Sequence, residues 1–141
     1  MNGNERVKLA KVIEKMHLEN ITPQIDVSEI WLHVPEVNRP ALQLTGFYDQ
    51  FDNDRIQIIG NVEYSYLKSL TEEERFERYN QLLSSNIPCL VFCRSLRPEN
   101  KVLELAVKHQ IPILLCDMAT STFMAEVIRW LKVQLAPCIV I

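Results

Sequence analysis

From residue 55 onward, short and nearly unbroken apolar runs alternate with longer stretches in which apolar residues return every three or four positions. The first pattern predicts strands covered on both faces, and the second predicts helices with one face in a core. Arg55 to Ile59 is a short β-rich run closed by Gly60. Thr71-Glu-Glu-Glu74 predicts a helix start, with the Thr hydroxyl bonding an open amide of the first turn and Glu74 reaching back to the cap amide. That helix runs to about Leu83, and acids in its first turn suit its dipole. Ile87-Pro-Cys-Leu-Val-Phe-Cys93 and Ile111-Pro-Ile-Leu-Leu-Cys116 read as buried strands. Between them, Pro98 to His109 predicts a helix with Val102, Leu103, Leu105, Ala106 and Val107 inward. Thr120 to Leu135 predicts the last helix, with Phe123, Met124, Val127, Ile128 and Leu131 on its core side. Pro137 ends it, and Cys138 to Ile141 reads as the start of one more strand.

The N-terminal part is less regular. Residues 5 to 18 carry Val7, Ala10, Val12, Ile13 and Met16 at amphipathic helix spacing, and Asn20 to Pro23 breaks the pattern. Ile25, Val27, Ile30, Leu32 and Val34 give a patchy strand signal, and Pro35 and Pro40 bracket an irregular link.

Strands alternating with helices over connections of this length imply right-handed βαβ units. The segments SNIPCLVFCRS and HQIPILLCDMA repeat this unit, each with proline at the strand's first residue, where a missing N–H is tolerated. The fold class is therefore α/β, a small parallel or mixed sheet with helices on both faces, in a single domain over residues 1–141.

Size and charge narrow the function. A chain of 141 residues and 16.4 kDa with 48% apolar residues can bury one sizeable core. Net charge of −3 argues against a nucleic-acid or anionic-membrane binder, and no apolar run approaches membrane-spanning length. MNGNERVKLAK has no apolar signal core, which points to a cytoplasmic protein. Cys89, Cys93, Cys116 and Cys138 show no C-x-x-C, and a four-residue gap along a strand separates Cys89 from Cys93 by about 13 Å. They read as buried free thiols without a metal, and apolar strands should raise their pKa and leave them unreactive.

With three glycines, the chain carries no G-x-x-x-x-G-K-[ST], and G-x-G-x-x-G, G-x-S-x-G and H-E-x-x-H are also absent. His17, His33 and His109 are scattered, and His17 and His109 fall where helices end. One geometric site remains, because open parallel sheets collect ligands outside the carboxyl ends of their strands. There the chain places Gly60-Asn61, Arg94-Ser95-Leu96-Arg97, and Asp117 with Thr120-Ser121-Thr122. Asn61, Arg94, Ser95, Arg97, Thr120, Ser121 and Thr122 could hold a small phosphate or carboxylate ligand. The plainer reading makes the hydroxyls helix caps and the arginines solvated. Likewise Phe47, Tyr48 and Phe51 either pack beneath a loop or face a partner.

NRPALQLTGFYDQF followed by RIQIIGNVEYSYL resembles the N-terminal domain of bifunctional HPr kinase/phosphorylase. The family pattern reads Asn-Arg-Pro-Gly-Leu-x-Leu-x-Gly, an aromatic-rich turn, then Arg-Ile-Gln-x-x-Gly and x-x-Glu. Asn38, Arg39, Pro40, Leu42, Leu44, Gly46, Phe47, Phe51, Arg55, Ile56, Gln57, Gly60, Glu63 and Leu67 match it. The likeness continues through Leu70 to Arg75, Ile87-Pro-Cys89, Ile111-Pro112, Thr120-Ser121 with Phe123, and Leu135-Ala-Pro137. Ala41 stands where the family usually has Gly, so this position needs no positive φ here.

The resemblance implies a fold similar to the N-terminal domain of the Mur ligases. It also implies a bacterial regulator of carbon use whose full enzyme phosphorylates and dephosphorylates a serine of the phosphocarrier HPr and assembles as a hexamer. ATP and magnesium belong to a kinase domain whose residues have no positions in this sequence, so the chain by itself is expected to be non-catalytic and without a cofactor. It is either a first domain only or a stand-alone relative. The role implied is a regulatory or assembly domain contacting its own kinase domain or neighbouring subunits, with a stand-alone phosphosugar or nucleotide sensor as the alternative.

Overall fold

The protein is described by a computed structural model over residues 5–136. Strand β1 (Val7–Lys8) leads into helix α1 (Leu9–Lys15), followed by the short strands β2 (Glu19–Asn20), β3 (Trp31–Leu32) and β4 (Val37–Asn38). Helix α2 (Ala41–Leu44) precedes β5 (Ile56–Ile59), α3 (Asn61–Ser69) and α4 (Glu72–Leu83). The chain then alternates β6 (Leu90–Phe92), α5 (Asn100–His109), β7 (Ile113–Leu115) and α6 (Thr120–Leu135). The main sheet has five strands in the order β2-β7-β6-β5-β4, and β1 pairs with β3 in a separate two-stranded ribbon. Strands β4 to β7 run parallel, and β2 joins β7 antiparallel, so the sheet is mixed.

Alternate residues of the strands feed two cores. Ile56, Ile58, Cys89, Val91, Cys93, Leu114 and Cys116 pack with Leu9 and Val12 of α1 and with Phe123, Val127 and Leu131 of α6. Ile59, Leu90, Phe92, Ile113 and Leu115 pack with Leu67 of α3, Tyr79, Leu82 and Leu83 of α4, and Val102 and Ala106 of α5. Burial on both faces explains the unbroken apolar runs. Helices on both faces agree with the fold class read from the pattern.

The later elements follow the sequence closely. Thr71 caps α4, its Oγ1 accepting from Glu74 N at 3.2 Å, while the Glu74 carboxylate meets the Thr71 hydroxyl instead of the cap amide. Pro98 lies just outside α5, whose N-cap is Glu99. Cys138 to Ile141, read as a strand, lies outside the described residues, as does Pro137.

The N-terminal expectations need correction. The predicted helix over 5–18 is shorter, because Val7 and Lys8 are drawn into a ribbon with Leu32 and Trp31. The break at Asn20 falls inside β2, a strand that the helical spacing did not predict. The Thr22 hydroxyl, fully buried, accepts from Ile113 N at 3.0 Å and donates to Asn20 Oδ1 at 2.9 Å, which holds β2 on the sheet edge. The strand signal over 25–34 survives only at Trp31–Leu32, and the link between the prolines contains β4. Helix α3 gave no clear signal, since its buried residues are only Glu63 and Leu67.

Candidate functional site

The fingerprint segment folds into a buried polar network at the β4 side of the sheet. Asn38 donates from Nδ2 to Gln57 Oε1 at 2.7 Å and to Gln43 Oε1 at 3.3 Å. Gln57, fully buried on β5, spends its own amide on the carbonyls of Asp52 and Arg55. Buried amides must be paired, so these bonds fix the register of β4 beside β5 and the loop between them. Arg55 is tied to Asp52 at 3.2 Å. Gly46 takes φ of +99°, which favours glycine at that turn, whereas Ala41 sits in helical backbone as expected.

A second cluster forms where β5 ends. Glu63, 3% exposed, accepts from Arg39 Nη2 at 2.8 Å and from the Gly60 amide at 2.7 Å. It thus neutralises Arg39 and satisfies an open amide at the start of α3 at once. A Cβ on Gly60 would come within 2.7 Å of both Arg39 Nη2 and Thr120 Oγ1, so glycine is required here for close approach. Arg39 Nε and Thr120 Oγ1 are buried without a hydrogen-bond partner among the described residues. Arg39 and Thr120 also lie beside Cys93.

The residues proposed for a ligand do not converge. Thr120 is buried under Gly60, whereas Ser121 and Thr122 line a shallow depression with Ala125, Glu126 and Arg129. Ser95 and Arg97 line a cleft of about 220 Å³ with His17, Glu19, Leu115, Cys116 and Asp117. Arg97 is engaged with Glu19 at 3.3 Å, and carboxylates share the cleft walls. Asn61 and Arg94 are exposed. The capping alternative also fails for the last helix, because Ala119 is its N-cap and no side chain bonds there.

The aromatic segment divides. Tyr48 and Phe51 meet edge to face at 5.4 Å and Phe51 packs on the core, while Phe47 is 50% exposed next to Leu42, 62% exposed. His17 and His109 terminate helices as read, with His109 Nε2 placed 2.8 Å from Asn80 Oδ1.

The sequence reading of the thiols holds in part. Cys89, Cys93 and Cys116 are free and buried, and burial pushes the Cys89 thiol up to about 12. Cys116 departs from the expectation of raised values: interaction with the Cys93 thiol draws it down, while the same interaction, with burial, pushes Cys93 up. Sequence reasoning missed this pair. The repeat gave no direct signal, because Cys93 lies six residues after Ile87 and Cys116 five after Ile111; only the strand register brings them side by side.

With this geometry in view, comparison with known proteins is informative. The family described as HPr Serine kinase N terminus matches residues 7–131. An HPr kinase/phosphorylase of Lachnoclostridium phytofermentans is 52% identical over 131 residues, covering 93% of this chain and 42% of the relative. Those of Caldicellulosiruptor bescii and Clostridium perfringens strain 13 are 36% and 37% identical, each again covered to 42%. The chain therefore spans less than half the length of these relatives. Among solved structures, the CBS and DRTGG domains of the regulatory region of a Clostridium perfringens pyrophosphatase, complexed with the activator diadenosine tetraphosphate, align with a TM-score of 0.55. That alignment covers 92% of this chain and 47% of the other at 17% identity, a likeness of fold alone. The matched length and the identities agree: the chain belongs to the HPr serine kinase N-terminal domain family.

Proposed function

We propose that this domain is a non-catalytic regulatory or assembly domain of an HPr kinase/phosphorylase, acting in the cytoplasm through contacts with a kinase domain or neighbouring subunits. One observation carries this reading: the fingerprint residues Asn38, Arg39, Gln57, Gly60 and Glu63 are engaged with one another, while Leu42 and Phe47 of the same segment face solvent. The polar residues shape the segment, and the exposed apolar side chains offer a contact surface. The close packing at Gly60 supports placing a triphosphate with magnesium outside the described residues. Gly60, the glycine at a strand's carboxyl end, is covered by Arg39 and Thr120, leaving no open phosphate cradle there.

Phosphoryl transfer to HPr, with ATP as donor, then belongs to the rest of the enzyme. The test uses the chain alone and the full-length enzyme. Incubated with radiolabelled ATP and HPr, the chain alone should leave HPr unlabelled; label on HPr overturns the reading. In the full-length enzyme, Leu42→Asp with Phe47→Asp should change the assembled mass or the response of activity to regulators. Unchanged mass and regulation would remove the contact role.

A further inference from the structure

Two thiols meet at the carboxyl ends of neighbouring strands. The β6 and β7 ladder pairs Leu90 with Ile113, Val91 with Leu114 and Phe92 with Leu115, so the next step places Cys93 beside Cys116. Backbone bonds from Cys116 N to Phe92 O at 2.8 Å and from Ser95 N to Cys116 O at 3.0 Å keep the strands together past that point. Both side chains point into the same core as Cys89 and Val91, and the two sulfurs interact. Neighbouring strands are about 4.8 Å apart, inside the Cα separation that a disulfide spans.

The surroundings differ from those of an inert core cysteine. Cys116 lines the cleft of about 220 Å³ that His17, Ser95 and Arg97 open to solvent. The Arg39 guanidinium lies near Cys93. Arg94 and Ser95, directly after Cys93, both hold left-handed backbone at φ of 58° and 57°, a sparsely populated conformation for two successive side-chain-bearing residues. The turn brings the chain back to the β7 end, where Arg94 N donates to Met118 O at 2.9 Å and Ser95 N to Cys116 O at 3.0 Å.

We propose that Cys116 and Cys93 form a peroxide-oxidisable dithiol, with Cys116 as the attacking sulfur and Cys93 as the resolving one. Hydrogen peroxide or another small hydroperoxide is the matching oxidant, because Cys116 lines the cleft but is only 2% exposed, so a bulky reagent cannot reach its thiol. The Cys116 thiolate attacks the peroxide and the O–O bond breaks. This forms a sulfenic acid and releases hydroxide. The Cys93 sulfur then attacks the sulfenic sulfur and the S–O bond breaks. Water leaves with the Cys93 proton, and a Cys93–Cys116 disulfide remains. In sum, two thiols and one hydrogen peroxide give one disulfide and two waters. The lowered pKa of Cys116 and the raised pKa of Cys93 agree with this division of roles.

The experiment treats the chain with dilute hydrogen peroxide, quenches it, and unfolds it in denaturant containing dimedone, which then reaches any sulfenic acid, before thiol-containing peptides are mapped by mass spectrometry. Wild type should lose its two thiol hydrogens and yield a linked Cys93–Cys116 peptide that dithiothreitol reverses. Cys93→Ser should accumulate dimedone adduct at Cys116, and Cys116→Ser should leave Cys93 reduced. A wild-type protein that keeps both thiols, or that reacts only through Cys89 or Cys138, overturns the proposal. Adduct at Cys93 in Cys116→Ser at the wild-type rate overturns the assignment of roles. The wild-type peptide map decides the question even where a variant folds poorly.

Discussion

At Gly60 the side chain of every other amino acid meets two neighbours at once. Its φ of −107° is open to any residue, so space and not backbone freedom demands glycine. Gly60→Ala should therefore cost about 1–3 kcal/mol through displacement of Arg39 and Thr120, read as a lower urea midpoint at unchanged slope. A midpoint equal to wild type would mean that Arg39 moves aside without cost. The importance of Gly60 was legible in the sequence through its place after an apolar run, but its partners were not. Arg39 and Thr120 come from segments far apart in the chain, and no periodicity reports a contact between a loop and a helix N-terminus. For the same reason Thr120 was grouped with Ser121 and Thr122. Adjacent residues on a helix point about 100° apart, so one is buried and two are exposed.

Among the elements, length and burial decided what could be read. Strands β6 and β7 are apolar throughout, and helix α6 buries Phe123, Val127 and Leu131 at regular spacing, so their patterns stand out. Strands β2 and β4 have two residues each, too short for any alternation to show. Their places are set by long-range bonds: Thr22 to Ile113 for β2, and Asn38 to Gln57 for β4. Thr22→Val conserves shape but removes the acceptor for Ile113 N. It should cost about 1–3 kcal/mol and speed hydrogen exchange at the Ile113 amide. Unaltered exchange there would show that β2 is held by other contacts. Helix α3 escaped notice because a charged residue, Glu63, occupies one of its two buried positions. An amphipathic pattern cannot reveal an inward carboxylate that is satisfied by Arg39 and Gly60.

For the whole molecule, the buried thiols link stability to pH. Burial raises Cys89 from 9.0 to about 12, so in the folded state it stays protonated where the unfolded chain has lost its proton. A raised folded pKa means that this contribution is complete below the unfolded value and is lost as pH climbs toward the folded one. Cys93, and at higher pH Tyr79, act in the same direction. Cys116, drawn down, has the opposite sign, and its contribution is already complete across that alkaline range. Unfolding free energy should therefore fall by up to about 1.4 kcal/mol per pH unit for each such group as pH rises above about 9. Urea titrations at stepped pH should show this slope, and Cys89→Ala should flatten it by about one proton whatever its effect at neutral pH. An identical slope in both proteins would contradict the assignment. The sequence alone indicated buried thiols, but the separation of Cys116 from the others depends on strand register.

The two borders of the main sheet have a consequence for assembly. Each offers a neighbour only two residues of ladder, Glu19–Asn20 on one side and Val37–Asn38 on the other. The first runs into the Thr22 turn, and the second into Pro40, which has no amide hydrogen to give. Among the described residues, another chain therefore has little foothold for adding a strand to this sheet. On the proposed assembly role, subunits would grip the fold by projecting side chains, and Leu42 and Phe47 stand out from its surface where such a grip can form.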